Sequence, residues 1–146
     1  MIIQSGKHEG KSTQELFLKE PGWVQFFVTK NPTSKLALEF KRHDKALTAK
    51  PFVEKCFKCK AQATRLSFYA GNARGPMAWC DTCDPHSIGA RQGKLTLVKT
   101  FKQALIFVQS TCEGRRGDQR IAVRLLAEAK GLPKRVGQAA AIAFLP

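Results

Sequence analysis

The sequence predicts an α+β fold in which a small strand and helix module, a four-cysteine ribbon and a C-terminal helical hairpin follow one another. Two Cys-x2-Cys pairs, short apolar runs of strand length beside them, and flanking segments with helical periodicity and capping residues carry this prediction. The three segments are residues 1–50, 51–112 and 113–146. Because no repeat or long low-complexity linker divides them, we expect one compact unit.

The first segment opens with an apolar stretch, Met1–Ser5, that has the pattern of a short strand. The next residues, Gly6–Lys11, form a basic turn bracketed by glycines. Ser12–Glu15 has capping-box spacing and predicts the start of a helix. Pro21-Gly22 ends that helix, and a second amphipathic stretch, Trp23–Val28, follows.

A third helix is expected after Asn31-Pro32, where Ser34 is in position to cap its first turn. Its predicted apolar face consists of Leu36, Phe40 and Leu47, and its basic face of Lys41, Arg42 and Lys45. The basic face has two interpretations, a solvated surface or a contact for an anionic partner. We take Lys41 and Arg42 as candidate contacts.

The four cysteines of the second segment have the spacing of a tetrahedral metal site. Cys56 and Cys59 form one Cys-x2-Cys pair, Cys80 and Cys83 form the other, and twenty residues separate the pairs. A two-residue spacer lets a tight turn aim both sulfurs at one ion, and zinc prefers such thiolate ligands. The pattern therefore predicts one structural Zn2+ in a zinc ribbon.

Three other uses of these cysteines are less consistent with the sequence. Disulfide frameworks belong to small secreted chains, and nothing in this sequence indicates export. Thiolate quartets also hold iron, in redox or iron–sulfur centres. A catalytic zinc keeps a water ligand, which four cysteines exclude.

Short strands are expected around the cysteine pairs. Ala63–Ala70 and Met77–Trp79 read as strands on either side of Gly71–Pro76, which is rich in turn residues. After the second pair, Leu95–Val98 reads as a further strand. Together these segments have the layout of a zinc ribbon with one additional strand.

A helix is expected from a second capping-box sequence, Thr100–Gln103, to about Cys112. Cys112 falls in helical phase with Phe101, Leu105 and Val108. This phase predicts a buried core thiol rather than a fifth metal ligand or a nucleophile.

The last segment predicts a basic hinge and two helices. The hinge, Glu113–Gly117, contains Arg115 and Arg116, which we take as candidate nucleic-acid contacts. Asp118–Lys130 and Pro133–Phe144 have helical patterns on either side of a glycine turn. Such a pair is compatible with helix-turn-helix DNA recognition or with a helical hairpin that serves packing. The basic residues near the pair are Arg120, Arg124, Lys130, Lys134 and Arg135. The alanine-rich last stretch favours packing.

The chain has a formal net charge of +14 at pH 7 and a pI near 10.0, and each of its three segments is net positive. Four thiolates and one zinc ion add about −2, which leaves a strong positive excess. Such an excess attracts polyanions and supplies the sequence-independent part of nucleic-acid affinity. Solubility alone is the alternative, although small domains usually carry charges of about 2–8 in magnitude.

The sequence also bears on the compartment. Its first residues lack an apolar segment of signal-peptide length, and no window reaches the length of a membrane span. We therefore expect a protein of the cytoplasm, or of another reducing compartment that contains nucleic acid.

The glycine-bracketed turn is the predicted phosphate contact. Gly6 and Gly10 permit a tight loop, Lys7 and Lys11 supply cations, and the following helix start offers N–H groups. His8 lies between them and is expected to be a phosphate contact or a turn residue. The loop is not a Walker A motif, because only three residues separate its glycines.

A family resemblance accompanies this loop. The residues Gly-Lys-His-x-Gly-Lys-Ser, a short helix, Pro-Gly-Trp and an aromatic helix together resemble the C-terminal accessory module of exodeoxyribonuclease X-type exonucleases. The resemblance covers about residues 2–29. It implies an accessory module associated with nucleic acid and no nuclease activity, since the catalytic domain of that family has no counterpart here.

These observations predict a zinc-containing accessory protein that binds DNA or RNA through its phosphate backbone. Catalysis is not expected, because the eleven acidic residues are dispersed and the three histidines form no recognisable catalytic arrangement. The aromatic residues Trp23, Trp79, Phe68 and Tyr69 are candidates for base stacking, with burial as the alternative for each. The other class of function is a small cationic adaptor or inhibitor that docks on a nucleic-acid-processing enzyme.

Overall fold

Six helices and one three-stranded antiparallel sheet make up the computed structural model in residues 1–83 and 94–146, the part of the chain that it describes. The predicted α+β class is confirmed. The helices are α1 (Thr13–Lys19), α2 (Pro21–Lys30), α3 (Lys35–Ala49), α4 (Phe101–Thr111), α5 (Arg116–Ala129) and α6 (Gln138–Phe144). The strands are β1 (Arg65–Tyr69), β2 (Asn72–Trp79) and β3 (Leu95–Val98). No helix in the described ranges is long and apolar enough to cross a membrane.

The predicted helix starts are confirmed by their caps. The hydroxyl oxygens of Ser12, Ser34 and Thr100 each accept a hydrogen bond from the backbone N–H three residues later, at 3.1–3.2 Å. Only half of the Ser12 capping box forms, because the Glu15 side chain pairs with Lys19 at 3.0 Å instead of returning to the Ser12 N–H. That N–H donates to the side chain of Gln138 at 3.2 Å, which attaches α6 to the start of α1.

The sheet has the strand order β2-β1-β3, with both neighbouring pairs antiparallel. The predicted turn is shorter than expected, since Asn72–Pro76 belongs to β2. Tyr69 pairs with Asn72, and Gly71 takes the left-handed backbone conformation with φ +79° that this tight connection requires. Pro76 fits in β2 because this strand lies at the edge of the sheet, where its missing N–H breaks no ladder.

The core is continuous through all three segments, with buried members such as Phe40, Leu66 and Leu126. Helix α1 packs against α2, α3, α5 and α6, and its Leu16, Phe17 and Leu18 are buried. Cys112 is fully buried in this core, as its helical phase predicts.

Two predicted elements at the ends of the chain are wrong in extent. The first residues, Met1–Ser5, make one isolated bridge, between Ile2 and Ser12, instead of a strand. The last helix begins at Gln138 rather than Pro133, and it packs against α1. Gly137 is the N-cap residue of this helix, and its extended backbone separates α6 from the residues after Pro133.

His43 is a buried titratable group at the contact between α1 and α3, with an exposed fraction of 0 %. Its Nε2 lies 2.9 Å from the Thr13 hydroxyl oxygen, which itself donates to the Gln14 side chain. Its Nδ1 is buried without a hydrogen-bond partner among the described residues. Burial lowers the pKa of His43 to about 4, although the Glu39 carboxylate acts in the opposite direction. A second proton would have no acceptor there, so the folded protein holds this histidine neutral.

We expect the free energy of unfolding to fall as the pH falls from about 6.5, the usual histidine value, towards about 4, because the unfolded chain binds the His43 proton more readily. The loss amounts to at most about 3 kcal/mol. His43→Gln keeps a partner for Thr13 but does not titrate. Urea unfolding of both proteins at pH 7 and pH 4.5 measures the difference, and equal losses in both would contradict the assignment to His43.

Candidate metal centre and basic surface

The first cysteine pair lies in a tight turn that docks on the sheet. The Cys56 N–H donates to the Ala61 carbonyl at 2.6 Å, and the Lys60 N–H donates to the Cys56 carbonyl at 3.1 Å. Lys60 adopts a left-handed backbone with φ +64° to close the turn. The Phe57 N–H donates to the carbonyl of Ala78 at 2.9 Å, which holds this turn beside β2.

The second pair follows directly from the end of β2. The Cys83 N–H donates to the Cys80 sulfur at 3.3 Å, an arrangement typical of a metal-binding turn. Thr64 and Arg65, at the start of β1, both donate to the Asp81 carboxylate and fix the position of the turn. The Trp79 indole donates to the Ser67 hydroxyl at 2.8 Å below it.

All four sulfurs lie within 4.8 Å of one another, and the Cys59 and Cys80 sulfurs are 3.6 Å apart. Four ligands around one ion at about 2.3 Å in tetrahedral geometry would lie about 3.8 Å apart. The described residues show no disulfide among these cysteines. The four cysteines are therefore close enough to bind one metal ion, as their spacing predicts.

The environment of the sulfurs favours thiolates on part of the cluster. Burial raises the pKa of Cys56, but hydrogen bonds from backbone N–H groups of both turns together have a larger effect in the opposite direction. The net result is a pKa lowered to about 6. The Cys83 N–H lowers the pKa of Cys80, whereas burial and the neighbouring sulfurs raise the pKa of Cys83 to about 12. Four sulfurs at this distance cannot all be charged without a cation, so metal binding must release protons.

The predicted phosphate loop has its lysines on the surface and its histidine inside. Gly6 and Gly10 have φ +87° and +82°, and the loop closes through two hydrogen bonds of 2.9 Å between Ile3 and residues 10 and 11. Lys7 and Lys11 are exposed. His8 is 5 % exposed and packs edge-on against Trp23, with ring centroids 4.6 Å apart. Burial lowers the pKa of His8, and its ring faces the interior rather than solvent.

The start of α1 offers fewer free donors than its sequence suggests. The Ser12 N–H donates to Gln138, the Thr13 N–H to the Met1 carbonyl, and the Glu15 N–H to the Ser12 hydroxyl. These three N–H groups are therefore not free to contact an anion at this loop.

The other four predicted contacts are exposed, but they differ in the hydrogen bonds and ion pairs that their side chains already form. They are Lys41, Arg42, Arg115 and Arg116. Lys41 donates to the Pro32 carbonyl at 2.8 Å, and Arg42 forms two hydrogen bonds with Glu39 at 2.6 and 3.1 Å. Arg115 is held by Asp118 at 2.8 Å. Arg116, in the first turn of α5, is exposed.

Two adjoining clefts form a basic surface that joins Lys11, a predicted phosphate contact, to basic residues of the predicted helix-turn-helix. One cleft, of about 230 Å3, lies between α1 and α5, and the other, of about 340 Å3, continues beside the segment that follows α5. Lys19, Arg120 and Arg124 line both clefts. The basic surface consists of Lys11, Lys19, Arg120, Arg124, Lys134 and Arg135. The helix-turn-helix pattern was the sequence signal for Arg120, Arg124, Lys134 and Arg135, whereas no pattern indicated Lys19.

The aromatic candidates for stacking differ in exposure. Phe68 and Trp79 are buried, which was the alternative to base stacking for these residues. Trp23 is half-buried and stacked on Phe27, with ring centroids 5.3 Å apart. Tyr69 remains exposed at the end of β1.

Comparison of the chain with protein-family models, with curated proteins and with solved structures found no match. The structure thus presents two chemically distinct features, a four-cysteine cluster that can hold a metal ion and a basic surface on the helices.

We expect each chain to bind one metal ion and to unfold in part when the ion is removed. The cluster of Cys56, Trp79 and Cys80 is separate from the main core and buries too little apolar surface to hold the two turns together. Cys59→Ser or Cys80→Ser should abolish stoichiometric metal binding and lower solubility or order in the ribbon, as seen by elemental analysis and circular dichroism.

Cys112→Ala is the matched control, since it removes a buried thiol outside the cluster. This variant should lose some stability through the cavity it leaves but keep one metal ion per chain. A wild-type preparation that is free of metal and fully folded would refute the expectation.

Proposed function

We propose that this protein is a zinc-containing accessory protein that binds nucleic acid by contacting its phosphate backbone. The observation that carries the proposal is the convergence of six basic side chains from segments about 100 residues apart in sequence on two adjoining clefts. Lys11 comes from the glycine-bracketed loop and Arg120 from α5, and both line the same cleft. A contiguous basic surface is the electrostatic footprint of a nucleic-acid-binding protein.

Zinc is the ion that the cluster fits best. Four cysteines supply the soft ligand set that zinc prefers, and they close its coordination shell, which indicates a structural rather than catalytic role. Iron is the competitor for the same four sulfurs. Zinc has a filled d shell and gives no visible absorption, so a coloured protein whose metal analysis shows iron would overturn the assignment.

The ion pairs at the basic surface leave its charge available. Lys19 pairs with Glu15 and Arg124 with Glu128, both at 3.0 Å, and Arg120 approaches Glu20 at 3.5 Å. Exposed pairs of this kind contribute at most about 1 kcal/mol, and an arginine has five donors, so a phosphate can bind beside or in place of the carboxylate.

The remaining cations strengthen the surface. Lys11, Lys134 and Arg135 form no ion pair with any described residue, so their charge is not compensated locally. The carbonyl of Lys134 accepts a hydrogen bond from Arg124, which ties the loop after α5 to the helix. The surface therefore combines exposed charge with a fixed geometry.

The resemblance of residues 2–29 to an accessory module of DNA-processing exonucleases is consistent with this proposal and implies a role beside an enzyme. Lys7 belongs to the same exposed loop as Lys11. A partner protein is the second candidate for the molecule that this chain binds, and the salt dependence of binding distinguishes it from nucleic acid. Contacts with a phosphate backbone release counterions and weaken steeply as salt is added, whereas an apolar protein interface does not.

We expect Lys11→Ala combined with Arg120→Ala to weaken binding of a nucleic-acid duplex and to lower the salt slope by about 2, one for each lost phosphate contact. Both side chains are exposed, so folding and metal content should not change. Fluorescence anisotropy at about 50 to 200 mM salt measures the slope.

The control is Lys41→Ala combined with Arg42→Ala, which removes one lysine and one arginine from α3 and so changes the net charge equally. An equal loss in the control would show that binding is not specific to the two clefts. Binding by the wild type that does not respond to salt, or no binding at low salt, would instead favour a protein partner.

A further inference from the structure

A groove of about 330 Å3 lies between α2, α3 and α4, away from the cysteine cluster and lined by none of the residues of the basic surface. Clefts that bind small ligands or single anchoring side chains have volumes from about 300 Å3 upward. The groove is therefore large enough to accept one large side chain and too small for a folded segment.

The walls of this groove are apolar. They are formed by Phe17, Val24, Val28, Phe40, Phe101 and Leu105. Phe17 is stacked on Phe101 with ring centroids 4.2 Å apart, so each ring already has one face covered. The Phe40 ring is contacted by Trp23 and Phe27 at 6.0 and 6.3 Å. Val28 is the most exposed of the six, since the other five side chains are 1–7 % exposed.

The rim of the groove is positively charged. Lys41 and Lys102 line it on opposite helices, α3 and α4, and both are exposed. The Pro32 carbonyl accepts one hydrogen bond from the Lys41 ammonium, which fixes its position and leaves two donors for a ligand. Asp44 is the one acid among the lining residues. Burial raises the pKa of Asp44, while a hydrogen bond with Thr48 and the Lys102 ammonium act in the opposite direction.

We propose that this groove binds an acidic peptide segment of a partner protein, whose apolar side chain enters the groove while flanking carboxylates pair with Lys41 and Lys102. Charge complementarity selects this occupant, because an apolar pocket between two lysines attracts an apolar residue with acidic neighbours. The site does not depend on the proposed binding of nucleic acid and adds a protein partner to it.

An unpaired nucleobase is a poorer occupant of the same space. A base stacks on the face of an aromatic ring, and the rings in these walls are stacked or contacted by their neighbours. A base also carries polar edges that need hydrogen-bond partners, whereas six of the eleven residues that line the groove are apolar.

The test is an NMR titration of the 15N-labelled full chain with the peptide acetyl-Asp-Asp-Leu-Phe-Asp-Asp-amide at concentrations up to about 1 mM, which detects affinities as weak as about 4 kcal/mol. The proposal predicts shifts of the backbone amides of Val24, Val28 and Leu105. Peptides with asparagine in place of aspartate, or with alanine in place of leucine and phenylalanine, should bind at least about tenfold more weakly.

Matched variants separate this site from general charge. Lys41→Ala with Lys102→Ala should weaken the peptide about tenfold, equivalent to about 1.4 kcal/mol, and leave nucleic-acid affinity near the wild-type value. Lys134→Ala with Arg135→Ala removes the same charge from the basic surface and should leave the peptide unaffected. Shifts confined to the basic surface, equal effects of the two variants, or no shifts at all would overturn the proposal. Shifts at the groove produced by an oligothymidylate instead of the peptide would overturn it in favour of a nucleobase site.

Discussion

Helix α1 packs against α2, α3, α5 and α6, and this packing determines where the basic surface and the apolar groove lie. With seven residues, α1 is too short to be stable alone, so it exists because Leu16, Phe17 and Leu18 are buried among its neighbours. Its polar start is fixed by Gln138, and His43 meets its first turn from α3. This packing places the loop that carries Lys11, and Lys19 at the end of α1, beside α5, where the basic clefts form. Elsewhere on α1, Phe17 lies beside α3 and α4 and forms part of the wall of the apolar groove.

A second constraint, independent of the helical core, governs the ribbon. Its two turns are held by hydrogen bonds to β2 and β1 and by the four sulfurs, with a small apolar cluster around Trp79. Strand β2 also packs on α5, the helix that carries Arg120 and Arg124. Loss of the metal should therefore loosen one neighbour of the basic surface, which gives a structural ion an indirect influence on binding without any contact to the ligand.

Local signals in the sequence were sufficient for the elements that depend on nearby residues. The Cys-x2-Cys spacing predicted the cluster, and Ser12, Ser34 and Thr100 marked helix starts correctly, because a cap acts within one turn. Local sequence patterns gave wrong predictions where contacts with residues far along the chain determine the structure. Met1–Ser5 has a strand pattern but finds only Ser12 as a partner, and the reciprocal bond of the first capping box is replaced by Gln138, far along the chain. The joining of these basic residues into one surface was not predicted for the same reason, since no local pattern shows that Lys11 and Arg120 line one cleft.

The most direct test of the account is to locate the phosphate contacts on the folded protein. Arginine side-chain Nε–H signals of the 15N-labelled, metal-loaded chain can be followed while a short duplex is added at low salt. We expect the Arg120 and Arg124 signals to shift first and to saturate together, whereas the signal of Arg42, which lies on α3 and lines neither cleft, changes little. Shifts that are uniform over all arginines, or that are confined to Arg42 and Arg115, would contradict the claim that the clefts between α1 and α5 form the nucleic-acid surface.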